Sequence, residues 1–294
     1  MMRVAFLGPA GTFSAQAVAA ADLPGAELLP QATIHAVVLA VQEGAADRGV
    51  VPVENSIEGA VNETLDALVH DAPDVEIVAD AVLAVSYCLI ARAGVAQAEI
   101  TDVISHPQAL GQCARFVRAQ LPGAAVRAAT STAEAVRIVS ASTERWGALG
   151  TRHAAELYGG SVLAENVQDE DGNATRFLWI AAAGSGAAWP GGDRSAGAGP
   201  GAAASAAWKS SVVFSGDGDG TPGWLVRCLS EFASRGVNLS RIESRPSRHR
   251  LGHYLFLVDL AGRADVPGPV ADAVAALEGH CAEVRLLGSY PAAG

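Results

Sequence analysis

The sequence RVAFLGPAGTFS, residues Arg3–Ser14, joins an apolar run to a glycine-rich turn and an alanine-rich segment. The run Arg3–Leu7 alternates little between polar and apolar residues, which is typical of a buried parallel strand. The alanine-rich segment predicts a helix, so the stretch indicates a strand, turn and helix. Thr12 and Ser14 would suit an anion there, because a helix N-terminus carries partial positive charge. A tight turn with Ser14 as N-cap is an equally good interpretation.

The same alternation of apolar runs and helical segments continues to residue 183. Short strands are predicted at Gly49–Val53, Ile100–Ile104, Val126–Ala129 and Trp146–Gly150, each followed by a helical pattern. Repeated β-α alternation predicts an α/β region with parallel strands. From this alternation we expect two lobes with a cleft between them. Ligands bind at the carboxyl ends of the strands in open α/β sheets, so we expect the binding site at that edge.

Polar side chains cluster where two of these predicted strands end, and we expect them to bind the ligand. They are Glu54, Asn55 and Ser56 after the first strand, and His106 and Gln108 after the second. Capping of the predicted helix Ala60–Val69 by Asn55 or Ser56 is the alternative interpretation. A lone histidine such as His106 is more often structural than catalytic.

A third polar junction lies in ENVQDEDGNATRFLWI, residues Glu165–Ile180, where an acidic loop meets an apolar strand. Arg176 can bind a carboxylate with two hydrogen bonds, Thr175 can donate or accept one, and Phe177 can orient a ring. The alternative is that Thr175 and Phe177 only begin a strand while Arg176 points into water. The loop segment Asp169–Asp171 is expected to be solvated surface.

Composition narrows the classes of function. Of 294 residues, 50% are hydrophobic and 17% are charged, as in a well-buried globular protein, and the net charge of -11 argues against a nucleic-acid partner. No apolar stretch reaches the roughly 18–20 residues of a membrane span, and Met1–Gly8 is expected to be a first strand, not a signal peptide. The cysteines lack metal-ligand spacing, so we expect free thiols, no metal and a cytoplasmic location. They are Cys88, Cys113, Cys228 and Cys281.

The chain changes character after residue 183. Residues 184–207 are nearly all Gly, Ala, Ser and Pro, which predicts a flexible linker. Residues 208–294 then show the order βαββαβ, typical of a ferredoxin-like domain. Two helices would cover one face of its sheet, and an open apolar face would invite a second subunit. We therefore expect three segments, 1–183, 184–207 and 208–294, and a homo-oligomer, either dimer or tetramer.

Six motifs in one order carry a family resemblance over nearly the whole chain apart from the linker. They are GPAGTFS at Gly8–Ser14, VPVENSIEG at Val51–Gly59, SHPQAL at Ser105–Leu110, TRF at Thr175–Phe177, the segment Gly223, Trp224, Leu225, and ESRP at Glu243–Pro246. With these motifs the chain resembles bacterial prephenate dehydratases that carry a C-terminal ACT regulatory domain.

The resemblance implies a catalytic region like the periplasmic binding proteins, with two lobes and a central cleft. It implies decarboxylative dehydration of prephenate to phenylpyruvate in phenylalanine biosynthesis, without cofactor or metal. Thr175 would hydrogen-bond or protonate the leaving hydroxyl, Arg176 would hold a carboxylate, and Phe177 would support both. The opposite wall would be lined by Thr12, Ser14, Asn55 and Ser56.

The resemblance also implies that phenylalanine binds the ACT domain at a subunit interface and regulates the enzyme. The residues concerned are Gly223, Trp224, Leu225, Glu243, Ser244, Arg245 and Pro246. Trp224 departs from the family pattern, where a small residue is usual, and is expected to crowd the effector pocket or alter its preference. Two other functions stay open, namely arogenate dehydratase and a non-catalytic two-lobed amino-acid sensor.

Overall fold

The computed structural model describes residues 1–185, 207–216, 220–248 and 251–293. Most of the linker predicted at 184–207 therefore lies outside the described residues. The described chain forms two compact units. The first comprises Met1–Val37, Val50–Gly59 and Leu83–Phe177, and the second comprises Val38–Gly49, Ala60–Val82 and Leu178–Gly294.

Strands and helices alternate through the first part of the chain, as the sequence predicts. The strands are β1 (Arg3–Leu7), β2 (Glu27–Gln31), β3 (Arg48–Asn55), β4 (Gly59–Ala60), β5 (Val75–Ala84), β6 (Cys88–Ala91), β7 (Asp102–Ser105), β8 (Ala125–Ala128), β9 (Trp146–Gly150), β10 (Ser161–Glu165) and β11 (Ala174–Ala182). The helices are α1 (Phe13–Ala20), α2 (Ile34–Gln42), α3 (Asn62–Asp66), α4 (Pro107–Gln112), α5 (Ala114–Gln120), α6 (Thr132–Ala141) and α7 (Arg152–Tyr158). A π-helix, Ala67–Asp71, continues α3, and Gln97–Glu99 form a 3₁₀ turn.

The first unit contains a five-stranded sheet of order β10-β6-β9-β7-β8. Strand β7 runs parallel to β8 and β9, whereas β6 runs antiparallel to β9 and β10. The expected α/β class is confirmed, but the expectation of parallel strands throughout is wrong. Strand β6 enters this sheet from β5, a strand of another sheet, through a short connection, so no crossover helix sets it parallel to its neighbours.

Both faces of this sheet are covered, because successive side chains of a strand point to opposite sides. In β6, Leu89 and Ala91 belong to a core that includes Val103 and Leu149. Cys88 and Ile90 belong to a second core, with Ile104 and Ala148 from the neighbouring strands. The near-continuous apolar run of β6 thus reflects burial on both faces.

The second unit contains a four-stranded antiparallel sheet of order β13-β14-β12-β15. Its elements are β12 (Trp208–Ser215), α8 (Trp224–Ala233), β13 (Leu239–Pro246), β14 (Tyr254–Ala261), α9 (Pro269–Leu277) and β15 (Glu283–Pro291). One face packs on α8 and α9 through a core that includes Phe214, Phe232 and Leu277.

The part of the chain that the structure describes has no helix long and apolar enough to span a membrane.

The other face of this sheet is not open, which corrects the expectation from the sequence. Val213, Leu255 and Leu257 are only 4%, 6% and 4% exposed. Strand β15 lies so close to β5 that a Cβ at Gly288 would overlap the carbonyl oxygen of Ile77. Apolar residues on that face are therefore buried within the chain's own second unit.

Candidate functional site

The structure brings Asn55 and Thr175, predicted from separate motifs, into direct contact in the first unit. Asn55 ends β3 and Thr175 begins β11. Asn55 Nδ2 donates a hydrogen bond of 2.9 Å to Thr175 Oγ1. Thr175 is half-buried, whereas Arg176 is 9% and Phe177 1% exposed. Thr175 is thus the most exposed residue of the tripeptide.

The orientation of the Asn55 amide follows from its backbone partners. Asn55 Oδ1 accepts 3.0 Å hydrogen bonds from the backbone N–H groups of Ile57 and Glu58. Because a backbone N–H can only donate, the oxygen must face this turn and Nδ2 must face β11. Thr175 Oγ1 is therefore the acceptor in its bond with Asn55, and that bond does not use the hydroxyl hydrogen.

Ser56 joins the loop after β3 to the start of β11. Its backbone N–H donates to the Ala174 carbonyl at 2.9 Å, and its Oγ accepts from the Ala174 N–H at 2.9 Å. The loop that follows Glu54 is thereby fixed beside Thr175. Capping of a helix by Asn55 or Ser56 is not what the structure shows, because α3 begins only at Asn62, with Val61 as its N-cap residue.

Thr12, not Ser14, caps helix α1. Thr12 Oγ1 accepts from the Ala15 N–H at 3.2 Å and donates to the Leu7 carbonyl at 2.9 Å. Its one hydroxyl hydrogen is used within the fold, so Thr12 can offer a ligand only its remaining acceptor capacity or its backbone. Ser14 is 4% exposed in the first turn of the helix.

The glycine turn before α1 is held by helix α7. Thr151 Oγ1 donates to the Gly11 carbonyl at 3.0 Å, and the Tyr158 hydroxyl donates to the Ala10 carbonyl at 2.7 Å. Gly11 has φ of +90°, and a Cβ there would lie 3.1 Å from the Cβ of Ala154. Glycine is needed at this position for both its conformation and its close contact with α7.

His106 is the N-cap residue of helix α4. Its Nδ1 accepts from the Gln108 N–H at 3.3 Å, and Pro107 occupies the first helical position. Since Nδ1 accepts this hydrogen bond, the N–H of the neutral imidazole ring lies on Nε2. Helix capping therefore explains the position of His106 without a ligand. Gln108 is exposed on the first turn of α4.

A cavity of about 720 Å³ lies beside α4 in the first unit. Its lining contains Gln108, together with Glu58, Gln112 and Asn173. Two cationic side chains, Arg115 and Arg118, also contribute to its wall. The volume lies within the range of about 300–1,000 Å³ that is usual for small-molecule sites. Neither Thr175 nor Arg176 is among the described residues that line it.

Asp169 caps helix α5, so the expectation that it is solvated surface is wrong. Its carboxylate accepts from the Arg115 N–H at 2.9 Å and the Phe116 N–H at 3.3 Å, and its side chain is 13% exposed. A carboxylate at a helix N-terminus satisfies N–H groups that have no partner within the helix. The neighbouring Glu170 pairs with Arg115 at 2.6 Å on the surface.

Sequence reasoning missed Asn173 and Gln112, which both hydrogen-bond within the site. Asn173 Oδ1 accepts from Asn55 Nδ2 at 2.9 Å, and Asn173 Nδ2 donates to Gln112 Oε1 at 2.9 Å. Gln112 follows Gln108 by one helical turn, a spacing that places both on one face and could have indicated it. Asn173 lies in a polar loop. A loop has no hydrophobic periodicity that would distinguish functional residues from solvated ones.

Trp224 lies in the core of the second unit. Its indole is 4% exposed, its N–H donates to the His280 carbonyl at 2.7 Å, and its ring lies 5.9 Å from that of Phe256. Gly223 precedes it with φ of +79° at the start of α8, and Leu225 is partly buried against the same core.

The ESRP segment, Glu243–Pro246, ends strand β13, and its arginine is bound to helix α3. Arg245 Nε and Nη2 donate to the two carboxylate oxygens of Asp66 at 2.7 and 2.8 Å. Arg248 lies 3.4 Å from the same carboxylate. The hydrogen bonds from Arg245 lower the pKa of Asp66, so the carboxylate is charged at neutral pH. Ser244, the preceding residue of β13, is exposed.

Comparisons with known proteins identify one family, and its model covers the part of the chain that contains the first four motifs. A family model described as prephenate dehydratase matches residues 4–185. A prephenate dehydratase of Mycolicibacterium vanbaalenii is 38% identical over 305 residues, which span 99% of this chain and 91% of the relative.

Two of the solved structures that cover almost all of the chain have the same TM-score. The structure of prephenate dehydratase from Arthrobacter aurescens in complex with L-Phe is 35% identical, with a TM-score of 0.82 over 99% of this chain and 90% of that one. A structure described as GqqA, a novel type of quorum quenching acylase, is 27% identical, with a TM-score of 0.82 over 99% and 98% of the two chains.

Proposed function

The chain belongs to the prephenate dehydratase family, and from this premise we propose that it converts prephenate to phenylpyruvate, carbon dioxide and water in L-phenylalanine biosynthesis. The observation that carries the proposal is the 2.9 Å contact between Asn55 and Thr175. It joins two of the motifs, and because Thr175 Oγ1 is the acceptor in this bond, the hydroxyl hydrogen stays available for another partner.

The reaction asks for a hydrogen-bond donor more than for a nucleophile. The ring C–O bond of prephenate breaks with its electron pair on oxygen, the ring carboxylate leaves as carbon dioxide, and the ring becomes aromatic. A proton that comes finally from solvent must reach the departing oxygen to give water, and a hydroxyl can hydrogen-bond that oxygen or relay the proton to it. Thr175 accepts from an amide, which cannot take up its proton, so the hydroxyl is arranged to donate and not to attack. Such assistance contributes about 10²–10⁴ in rate.

The two carboxylates of prephenate need cationic and amide donors. We assign one of them to Arg176, which is 9% exposed, because a guanidinium binds a carboxylate with two parallel hydrogen bonds. The segments around Ser14, Glu54–Ser56 and His106–Gln108 supply the remaining contacts, with Thr12 acting through its backbone. Phe177, 1% exposed, holds the start of β11 in place by packing.

We further propose the finer architecture expected from the resemblance. Residues 1–183 would form a two-lobed catalytic region with a central cleft, and residues 208–294 an ACT domain of ferredoxin-like order that binds L-phenylalanine. The L-Phe bound to the Arthrobacter aurescens relative supports this assignment. We assign the effector site to Gly223 and the ESRP segment. We also propose that the protein is cytoplasmic and forms a homo-oligomer through the ACT domain. Heat from another aromatic amino acid, with none from phenylalanine, in a calorimetric titration would overturn the effector assignment.

We propose that Arg245 transmits effector binding through its ion pair with Asp66. Helix α3, which carries Asp66, directly follows the motif that contains Asn55 in the sequence. The Asp66→Asn variant should therefore respond less to L-phenylalanine, with the effector's influence on kcat/KM reduced about fivefold or more, since allosteric coupling is typically ~1–3 kcal/mol. The measurement is kcat/KM for prephenate at increasing L-phenylalanine.

The matched control is Asp265→Asn, which breaks the 2.7 Å surface pair with Arg263. It should leave the response to L-phenylalanine as in the wild type. An Asp66→Asn protein with the full response would show that the ion pair only stabilises the fold.

The substrate is tested by comparing prephenate and arogenate. We expect a higher kcat/KM for prephenate, with phenylpyruvate as the product. A preference for arogenate, with phenylalanine as product, would make the protein an arogenate dehydratase. Binding of either compound without turnover would support the non-catalytic amino-acid sensor. Hydrolysis of an amide that carries an acyl group, without turnover of prephenate or arogenate, would support an acylase.

A further inference from the structure

Asn173 occupies the centre of a chain of side-chain amides in the first unit. It is 3% exposed and lies outside the TRF tripeptide. Its Oδ1 accepts from Asn55 Nδ2 at 2.9 Å and from Ser56 Oγ at 3.3 Å. Its Nδ2 donates to Gln112 Oε1 at 2.9 Å, so both ends of the amide are engaged.

The hydrogen bonds along this chain of amides can run in only one direction, because one end of the chain meets only donors and the other end meets only an acceptor. At one end two backbone N–H groups hold Asn55 Oδ1. At the other end Gln112 Nε2 donates to the Glu58 carboxylate at 3.2 Å, and an ionised carboxylate can only accept. Reversing the Asn173 amide would set oxygen against oxygen and N–H against N–H at its two contacts.

We propose that Asn173 is a positioning residue for the dehydration. Its oxygen accepts one of the two Asn55 Nδ2 hydrogens and leaves the other for Thr175 Oγ1, so that the threonine hydroxyl accepts from Asn55 and directs its own hydrogen at the substrate. The inference rests on the proposed role of Thr175. It assigns no contact between Asn173 and the reacting atoms.

The side chain of Asn173 can be altered without breaking the strand contact beside it. The Asn173 carbonyl accepts from the Val85 N–H at 2.8 Å, a bond that any residue at this position can make. The effect of a substitution at Asn173 therefore reports on the side-chain amide and not on this backbone contact. Leucine fills about the same buried volume as asparagine but offers no hydrogen-bond acceptor.

The test begins with the steady-state kinetics of Asn173→Ala on prephenate. We expect kcat to fall about tenfold to a hundredfold while KM changes less than about threefold, since the lost interaction serves the transition state and not ground-state binding. Asn173→Asp, which retains an acceptor for Asn55, should keep more activity than Asn173→Leu. A residue that served packing alone would show the opposite order, because a buried site tolerates leucine better than a carboxylate.

A double-mutant cycle with Asn55→Ala completes the test. If Asn173 acts through Asn55, the double variant should have a kcat within about threefold of Asn55→Ala alone. Independent, multiplying losses, or an unchanged kcat in Asn173→Ala, would overturn the inference. Asn238→Ala, at an exposed position in the second unit, is the control and should match the wild type. A wild-type protein without turnover would refute the proposed function instead, which separates the two failures.

Discussion

Replacing Thr175 by alanine is expected to lower kcat for prephenate by about 10²–10⁴, the usual contribution of positioned proton transfer, with little change in KM. The reason is that the hydroxyl held by Asn55 at 2.9 Å assists the departing oxygen only as the C–O bond breaks. The measurement is the rate of phenylpyruvate formation over a range of prephenate concentrations.

Thr175→Ser is the matched control, because serine retains the hydroxyl that Asn55 orients. It should recover most of the lost kcat. A Thr175→Ala protein whose KM rises at unchanged kcat would contradict the role assigned to the hydroxyl and make Thr175 a binding residue.

The second large effect is expected for Arg176→Gln. A hydrogen bond to a charged group contributes about 1.5–3 kcal/mol, so the loss of the guanidinium should raise KM for prephenate by about 10- to 150-fold. Arg176→Lys should recover little, since an ammonium group cannot make two parallel bonds to a carboxylate. Initial rates up to high prephenate concentration measure the change.

Arg92→Gln serves as the control, because Arg92 is exposed just after β6 and has no role in the proposed site. Its KM should equal that of the wild type. An unchanged KM in a folded Arg176→Gln protein would show that other groups hold the carboxylates.

Local patterns predicted the elements whose signals are complete within a few residues. Gly159 and Gly160 follow the helical pattern of α7 in the sequence, and Gly159 is its C-cap with φ of +72°. Ser131 and Glu134 have the spacing of a capping box, and Ser131 Oγ accepts from the Glu134 N–H at 3.0 Å. Each depends on backbone chemistry that a short segment determines alone.

Other features depend on contacts that are distant in sequence. The helical segment after His106 is divided at Cys113 into α4 and α5, and the helix predicted at Ala60–Val69 begins later and continues as a π-helix. The capping of α5 by Asp169 joins residues far apart in the chain, as Arg245 does with Asp66. No periodicity within one segment could have indicated these pairs.

The candidate site shows the same division. Asn55 and Thr175 could be predicted because each ends or begins a strand within a recognisable motif. Asn173 was missed because its importance lies in the direction of a hydrogen-bonded chain, which only the folded arrangement of β11, α4 and the loop after β3 defines.

The central claim is tested most directly by measuring phenylpyruvate and carbon dioxide together after the full-length protein is mixed with prephenate at neutral pH. The account predicts one of each for every prephenate consumed, at a rate that far exceeds the spontaneous reaction and is largely lost in Thr175→Ala. Prephenate that stays unconverted beside a folded, phenylalanine-binding protein would contradict it.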